Sequence, residues 1–144
     1  MNRIEVIGGK AHQRKYVESM AEFCIETLMP RLRSLDITIK LATVQGAMGY
    51  CLETDNNRTF EIEADRKLTL RKLLETIAHE MVHVKQYARK ELRHDYKWCG
   101  KTYSPEKVSY WDLPWEIEAH GRELGLFVRW CELHGHRANW TQLD

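Results

Sequence analysis

The stretch from about residue 69 to residue 92 constrains the fold of this chain more than any other. Its apolar residues recur at helical spacing, and together they cover one face: Leu70, Leu73, Leu74, Ile77, Met81, Val84 and Ala88. Each helical residue advances about 100° around the axis. His79 and His83 therefore lie almost opposite the centre of the apolar stripe. The pattern predicts a helix that packs one face on a core and turns both imidazoles away from it.

The two histidines belong to an H-E-x-x-H pattern, His79-Glu80-Met81-Val82-His83. Residues i and i+4 of a helix lie one turn apart on the same face. Two imidazole nitrogens at this spacing can therefore bind one Zn²⁺ ion at about 2.0–2.1 Å. Glu80, rotated by about 100° from His79, is poorly placed as a ligand but can act as a general base on a water in the open coordination position. In the alternative interpretation, this is a surface helix with both histidines in water.

A catalytic zinc site usually has three protein ligands and one open position. A third histidine in the H-E-x-x-H-x-x-G-x-x-H pattern is absent, because Gln86 and Arg89 occupy the required positions. The helical segment Asp112–Trp130 offers carboxylates instead, among them the closely spaced Glu116 and Glu118.

Helical geometry separates these two glutamates. Glu116 borders the apolar face of its predicted helix, where a buried carboxylate needs a strong partner such as zinc. Glu118 lies about 200° from Glu116 around the helix axis. Its face is predicted to be exposed to solvent, and Glu118 can pair with Arg122 at i+4. We therefore predict Glu116 as the third ligand, with Glu118 or His94 as alternatives. His120, one turn after Glu116, is predicted to orient a ligand or to contact an oxyanion, unless it is a core histidine.

The order of predicted elements indicates an α+β fold with a small antiparallel sheet of about three strands. The sheet is expected to pack on an N-terminal helix, the H-E-x-x-H helix and a C-terminal helix that carries Glu116. The predicted elements are helices over about residues 11–34, 69–92 and 113–134, and strands over Asp36–Val44, Met48–Glu53 and Thr59–Asp65.

Length and composition indicate one domain, residues 1–144, of an ordinary globular protein. The net charge of +1 argues against nucleic acid or an anionic membrane as the main partner. No apolar run approaches the roughly 18 residues needed to span a bilayer. The N-terminal residues lack the apolar region of a signal peptide. The expected location is therefore cytoplasmic, with the four cysteines as free thiols.

These residues resemble the gluzincin zinc peptidases, in which H-E-x-x-H is followed downstream by a helical glutamate. The segment Pro114-Trp-Glu-Ile-Glu-Ala-His-Gly121 is most similar to minigluzincins and to short phage or bacterial peptidases of the ImmA/IrrE type. Their ligand glutamate opens an E-x-x-A-[DN]-like segment, which puts Glu116 in the ligand position and His120 where Asp or Asn is commoner. The resemblance covers about residues 59–130.

The resemblance implies a sheet whose edge strand binds an extended peptide through backbone hydrogen bonds; here that strand would be Thr59–Asp65. It also implies a tyrosine or histidine that stabilises the oxyanion, for which Tyr103, Tyr110 and His120 are candidates. The expected activity is zinc-dependent hydrolysis of a peptide or protein substrate.

Three other functions fit the same residues. The chain could hydrolyse a non-peptide amide, or keep the fold as a regulatory binding module with little or no catalysis. A DNA-associated protease of SprT type is the third, although the net charge near zero argues against it.

Overall fold

The computed structural model describes residues 1–135 and confirms the α+β class. A four-stranded sheet and a two-stranded hairpin accompany three helices. The strands are β1 (Arg3–Gly8), β2 (Asp36–Ala42), β3 (Gly49–Glu53), β4 (Thr59–Asp65), β5 (Lys97–Trp98) and β6 (Lys101–Thr102). The helices are α1 (Ala11–Leu28), α2 (Leu70–Ala88) and α3 (Pro114–Leu133), with a short 3₁₀ turn at Tyr110–Asp112.

The main sheet is mixed, so the expectation of about three antiparallel strands is wrong. Its strand order is β1-β2-β4-β3, in which β1 and β4 run parallel to β2 and only β3 runs antiparallel to its neighbour β4. The first strand, which the sequence analysis missed, is joined to β2 through α1. A crossover helix of this kind is the usual connection between neighbouring parallel strands.

The first helix is shorter than predicted. It ends at Leu28, followed by Met29 in a non-helical conformation (φ −140°, ψ 52°). The next residue is Pro30, and the ring of a proline disfavours the helical conformation in the residue before it. The other two predicted helices agree with α2 and α3 to within a few residues at each end.

β3 and β1 form the edges of the sheet, and β4 lies between β2 and β3. The prediction that Thr59–Asp65 is a free edge strand is therefore wrong. At β3, Gly49 lies so close to α2 that a Cβ atom would stand 2.8 Å from Cγ2 of Thr76 and 2.7 Å from the carbonyl oxygen of Glu63. The absence of a side chain at this position lets the edge strand run beside the H-E-x-x-H helix.

The core lies between one face of the sheet and the helices. Buried and partly buried residues alternate along β2 and β4, as expected for strands with one covered face. The inward side chains Ile37, Ile39, Phe60 and Ile62 join the apolar stripe of α2 in one cluster. On the opposite face, Lys40 and Glu61 form a partly exposed ion pair.

A second, smaller cluster lies under the loop between α2 and α3. Leu92, Leu113 and Trp115 are buried there, with Trp98 and Tyr103 packed against them. This cluster fixes the beginning of α3 against the end of α2. Within residues 1–135, no helix combines the length and the apolar composition that crossing a membrane requires.

Ile62→Ala is expected to lower the free energy of unfolding by about 2–5 kcal/mol, because the side chain is fully buried in the central strand β4 and its loss leaves a cavity. The matched control is Ile117→Ala on α3, where the side chain is 57% exposed; a change within about 0.5 kcal/mol is expected there. Urea denaturation measures both. Equal losses in the two variants would contradict this assignment of the core.

Candidate metal centre

α2 carries both histidines of the motif on one face, as predicted. Their ring centroids lie 4.9 Å apart, and each residue is only 8% exposed. The interpretation as a solvated surface helix is therefore wrong. The histidines are buried because α3 packs across the side of α2 that faces away from the apolar stripe.

α3 brings Glu116 to the two histidines. Its Oε1 atom lies 3.1 Å from Nε2 of His79 and 3.3 Å from Nε2 of His83. Ligands bound at about 2.0–2.1 Å to a tetrahedral ion stand roughly 3.3–3.4 Å from one another. The separations between Glu116 and the two imidazoles thus match those between ligands of one shared ion.

Three carboxylates, those of Glu80, Glu116 and Glu123, surround the imidazoles and favour a positive charge among them. Burial opposes the charge on His79, but hydrogen bonds to Glu116 and Glu123 outweigh it and raise the pKa of His79 to about 10. Burial likewise disfavours ionised Glu116, yet its hydrogen bonds to His79 and His83 bring the pKa of this carboxyl far below its ordinary value. The local field therefore attracts a cation.

Glu80 points into the cleft beside the two histidines. Burial, together with the nearby charges of Glu116 and Glu123, raises the pKa of the Glu80 carboxyl, although His83 and His79 act in the opposite direction. The ligand atoms of His79, Glu80 and His83 lie within 4.8 Å of one another. These residues can hold a metal ion.

Tyr110 and His120, which were also predicted as site residues, lie beside Glu116 and Glu123. The Tyr110 hydroxyl donates a hydrogen bond to Oε1 of Glu116, and its oxygen also lies 3.0 Å from Nε2 of His120. The other ring nitrogen of His120 is 2.6 Å from Oε1 of Glu123. Tyr110 and His120 thus border the centre, and the interpretation of His120 as a core residue is wrong.

Tyr103, the other candidate for stabilising the oxyanion, and His94, an alternative third ligand, lie outside this group of residues. Tyr103 packs edge-on against Trp115 in the small cluster under the loop, so its role is in packing. His94 lines a separate cavity beyond the end of β3, beside Glu53.

Glu123 is the site residue that the sequence analysis missed. Its Oε1 atom lies 3.6 Å from Nδ1 of His79 and 2.6 Å from Nδ1 of His120. Together with these histidines it forms a second group whose ligand atoms lie within 4.8 Å of one another. Glu123 follows Glu116 by two helical turns on nearly the same face, and that spacing is the signal that could have found it.

Glu118 points away from the pair of histidines. Its predicted ion pair with Arg122 is present at 3.0 Å, but the expectation of a solvated face is wrong, because the side chain is only 18% exposed. Its carboxylate contacts Nζ of Lys85 at 2.5 Å and accepts a hydrogen bond of 3.0 Å from Nε2 of Gln86. Glu118 therefore joins α3 to α2 beside the centre.

A cleft extends to both sides of the centre along β3. Cavities of about 350 Å³ and 300 Å³ share His79, Glu80 and Tyr110 in their walls. The cavity of 350 Å³ is also lined by Met48 and Trp111, and the cavity of 300 Å³ by Cys51, Tyr87 and Trp115. The cleft is therefore elongated, with the cluster of histidines and carboxylates near its middle.

The backbone of β3 offers free hydrogen-bonding groups to this cleft. The carbonyl oxygen of Met48 accepts from the amide of Asp65 on β4. Because hydrogen-bonded pairs alternate along an antiparallel ladder, the register assigns Tyr50 and Leu52 to bonds with β4 as well. The backbone N–H and C=O groups of Gly49 and Cys51 then point toward the free edge.

No protein-family model matches the chain, and neither a curated protein nor a solved structure shows significant similarity to it. Any statement about function therefore depends on the arrangement of the residues in the site.

Proposed function

We propose that this protein is a zinc-dependent endopeptidase in which His79, His83 and Glu116 hold the ion. One observation carries the proposal: a single carboxylate oxygen of Glu116 faces the Nε2 atoms of both histidines at 3.1 and 3.3 Å. Two imidazoles and one carboxylate form a donor set that zinc accepts in hydrolytic sites, with one position left for water or substrate. The resemblance to gluzincins agrees with this assignment and stays a prediction.

The remaining residues are placed for hydrolysis of an amide. When bound, zinc acidifies water and polarises a carbonyl group. Glu80 accepts the proton of the attacking water and later donates it to the leaving amine. The raised pKa of its carboxyl, caused first by burial, suits a group that must both take up and release a proton.

Tyr110 and His120 are positioned to stabilise negative charge on the substrate oxygen. The Tyr110 hydroxyl lies at the mouth of the site and within hydrogen-bond distance of both Glu116 and His120. In the proposed mechanism this hydroxyl turns from Glu116 toward the carbonyl oxygen of a bound substrate. Glu123 holds the other nitrogen of His120, so that Nε2 faces the substrate.

The shape of the cleft favours cleavage within a chain over removal of a terminal residue. Cavities lie on both sides of Glu80, so an extended peptide can continue in both directions. The outward groups of Gly49 and Cys51 can pair with its backbone, as an added strand does at a sheet edge. β3 replaces β4 as the proposed peptide-binding strand.

Glu116→Gln is expected to abolish stoichiometric zinc binding, because a neutral amide is a poor zinc ligand and the site keeps only two imidazoles. The matched control is Glu118→Gln, the same substitution two residues away. Its side-chain oxygen can still accept the hydrogen bond from Gln86, so this variant is expected to keep the ion. Metal analysis after zinc-replete purification and dialysis measures both. Loss of zinc in the control alone would contradict the assignment of the third ligand.

Glu80→Gln is expected to keep the zinc and to lower the rate of peptide hydrolysis by about 10²–10⁴-fold, the usual contribution of general acid–base catalysis. A quenched-fluorescent peptide library, incubated with the zinc-loaded protein, provides the measurement. Glu75→Gln on the same helix, where Glu75 pairs with Arg71, should keep the wild-type rate. Hydrolysis at the wild-type rate by Glu80→Gln would rule out Glu80 as the base.

A further inference from the structure

Gln86 lies one turn after His83 on α2 and is fully buried. Its side-chain amide forms three hydrogen bonds in this position. Oε1 is 2.8 Å from Nδ1 of His83, while Nε2 donates to the carbonyl oxygen of Trp115 and to Oε1 of Glu118, both at 3.0 Å. The hydrogen-bonding capacity of the NH₂ group is therefore used completely.

Chemistry allows only one orientation of this amide. The carbonyl oxygen of Trp115 can only accept a hydrogen bond. The Glu118 carboxylate, beside the ammonium of Lys85 and the guanidinium of Arg122, is likewise an acceptor. Turning the amide over would place its oxygen against two other oxygens. The NH₂ group must face α3, and Oε1 must face His83.

This orientation fixes the hydrogen-bonding role of each nitrogen of His83. Because Oε1 of Gln86 can only accept, Nδ1 of His83 must carry the proton and donate it. The lone pair available for a ligand bond is then on Nε2, the atom that lies 3.3 Å from Oε1 of Glu116. Histidines that bind metals commonly have their second nitrogen held in this way.

We propose that Gln86 is a positioning residue that sets the tautomer and the direction of His83 and couples them to α3, an inference that rests on the proposed zinc site. The amide contacts Trp115 and Glu118, which flank Glu116 on either side in the sequence. The same side chain therefore aligns one zinc ligand on α2 with the segment of α3 that supplies another.

The hydrogen bond between Gln86 and Glu118 is supported by a buried group of charged side chains. Lys85 is nearly inaccessible to solvent and pairs with Glu118 at 2.5 Å and with Glu91 at 2.8 Å. A buried lysine needs such partners, because an isolated charge there would be costly. Lys85 holds Glu118 in place, and Glu118 in turn holds the amide of Gln86.

Gln86→Met keeps the length of the side chain but has no donor and only a weak acceptor. It is expected to weaken zinc binding by about 10–100-fold, the usual effect of losing a partner of a ligand. Competition with a chromophoric chelator measures the affinity. Leu73→Ala, a core substitution on the same helix, is the control for lost stability and should leave the affinity unchanged.

The double variant Gln86→Glu/Glu118→Gln exchanges the carboxylate and the amide. The new carboxylate still accepts from Nδ1 of His83, and the new amide can donate to it, but the second oxygen of this carboxylate faces the carbonyl oxygen of Trp115 in place of an N–H donor. Zinc affinity should therefore recover only in part, to a value between those of Gln86→Met and the wild type. An affinity as low as that of Gln86→Met would contradict a role through the hydrogen bond. Equal affinities of Gln86→Met and wild type would also overturn the proposal.

NMR of ¹⁵N-histidine-labelled protein tests the tautomer directly. In the zinc-loaded wild type, His83 should carry a proton on Nδ1 that exchanges slowly with water. In Gln86→Met this proton should exchange fast, because its acceptor is gone. Zinc on Nδ1 and the proton on Nε2 would overturn the proposal. If the wild type binds no zinc, the proposed function fails. The metal-free spectrum then still decides whether Nδ1 of His83 carries the proton bonded to Gln86.

Discussion

The packing of α3 across α2 is the interaction on which the rest of the site depends. One side of α2 contributes its apolar stripe to the core under the sheet, and the opposite side carries His79 and His83. Without α3 these imidazoles would face water. With it they are 8% exposed, and Glu116 lies against both. The contact thus turns a two-residue motif into a three-residue site.

This contact between helices brings several charged groups out of water, and each of them has a partner. Glu116 faces two imidazoles, Glu123 contacts His79 and His120, and Glu118 contacts Lys85. Buried charges without such partners would destabilise the fold strongly. The two-helix contact is therefore held by complementary charge as well as by apolar packing, and the same complementarity favours a cation at the centre.

The sequence was most informative where structure depends on local periodicity. The helical pattern placed His79 and His83 on one face, and it separated Glu116 from Glu118 by their directions around α3. The same reasoning assigned Glu118 to solvent, which was wrong, because a helical wheel describes one helix and contains no information about Lys85 on its neighbour. Glu123 was missed for a related reason. One of its partners, His79, lies on α2 and the other, His120, on α3, so the pattern of a single helix does not reveal them together.

Strand pairing was predicted less well, because it depends on contacts between distant residues. The alternation in Thr59–Asp65 identified a strand but did not reveal that β2 and β3 flank it on both sides. β1 was missed, and with it the parallel pairing that makes the sheet mixed. The edge beside the site belongs to β3, where Gly49 permits the close approach to α2.

Anomalous diffraction at the zinc absorption edge, from crystals of the zinc-loaded protein, tests the central claim most directly. The account predicts one strong peak at bonding distance from Nε2 of His79, Nε2 of His83 and a carboxylate oxygen of Glu116. A peak between His79, His120 and Glu123, the second group of ligand atoms within 4.8 Å of one another, would contradict it, as would the absence of any peak at these residues.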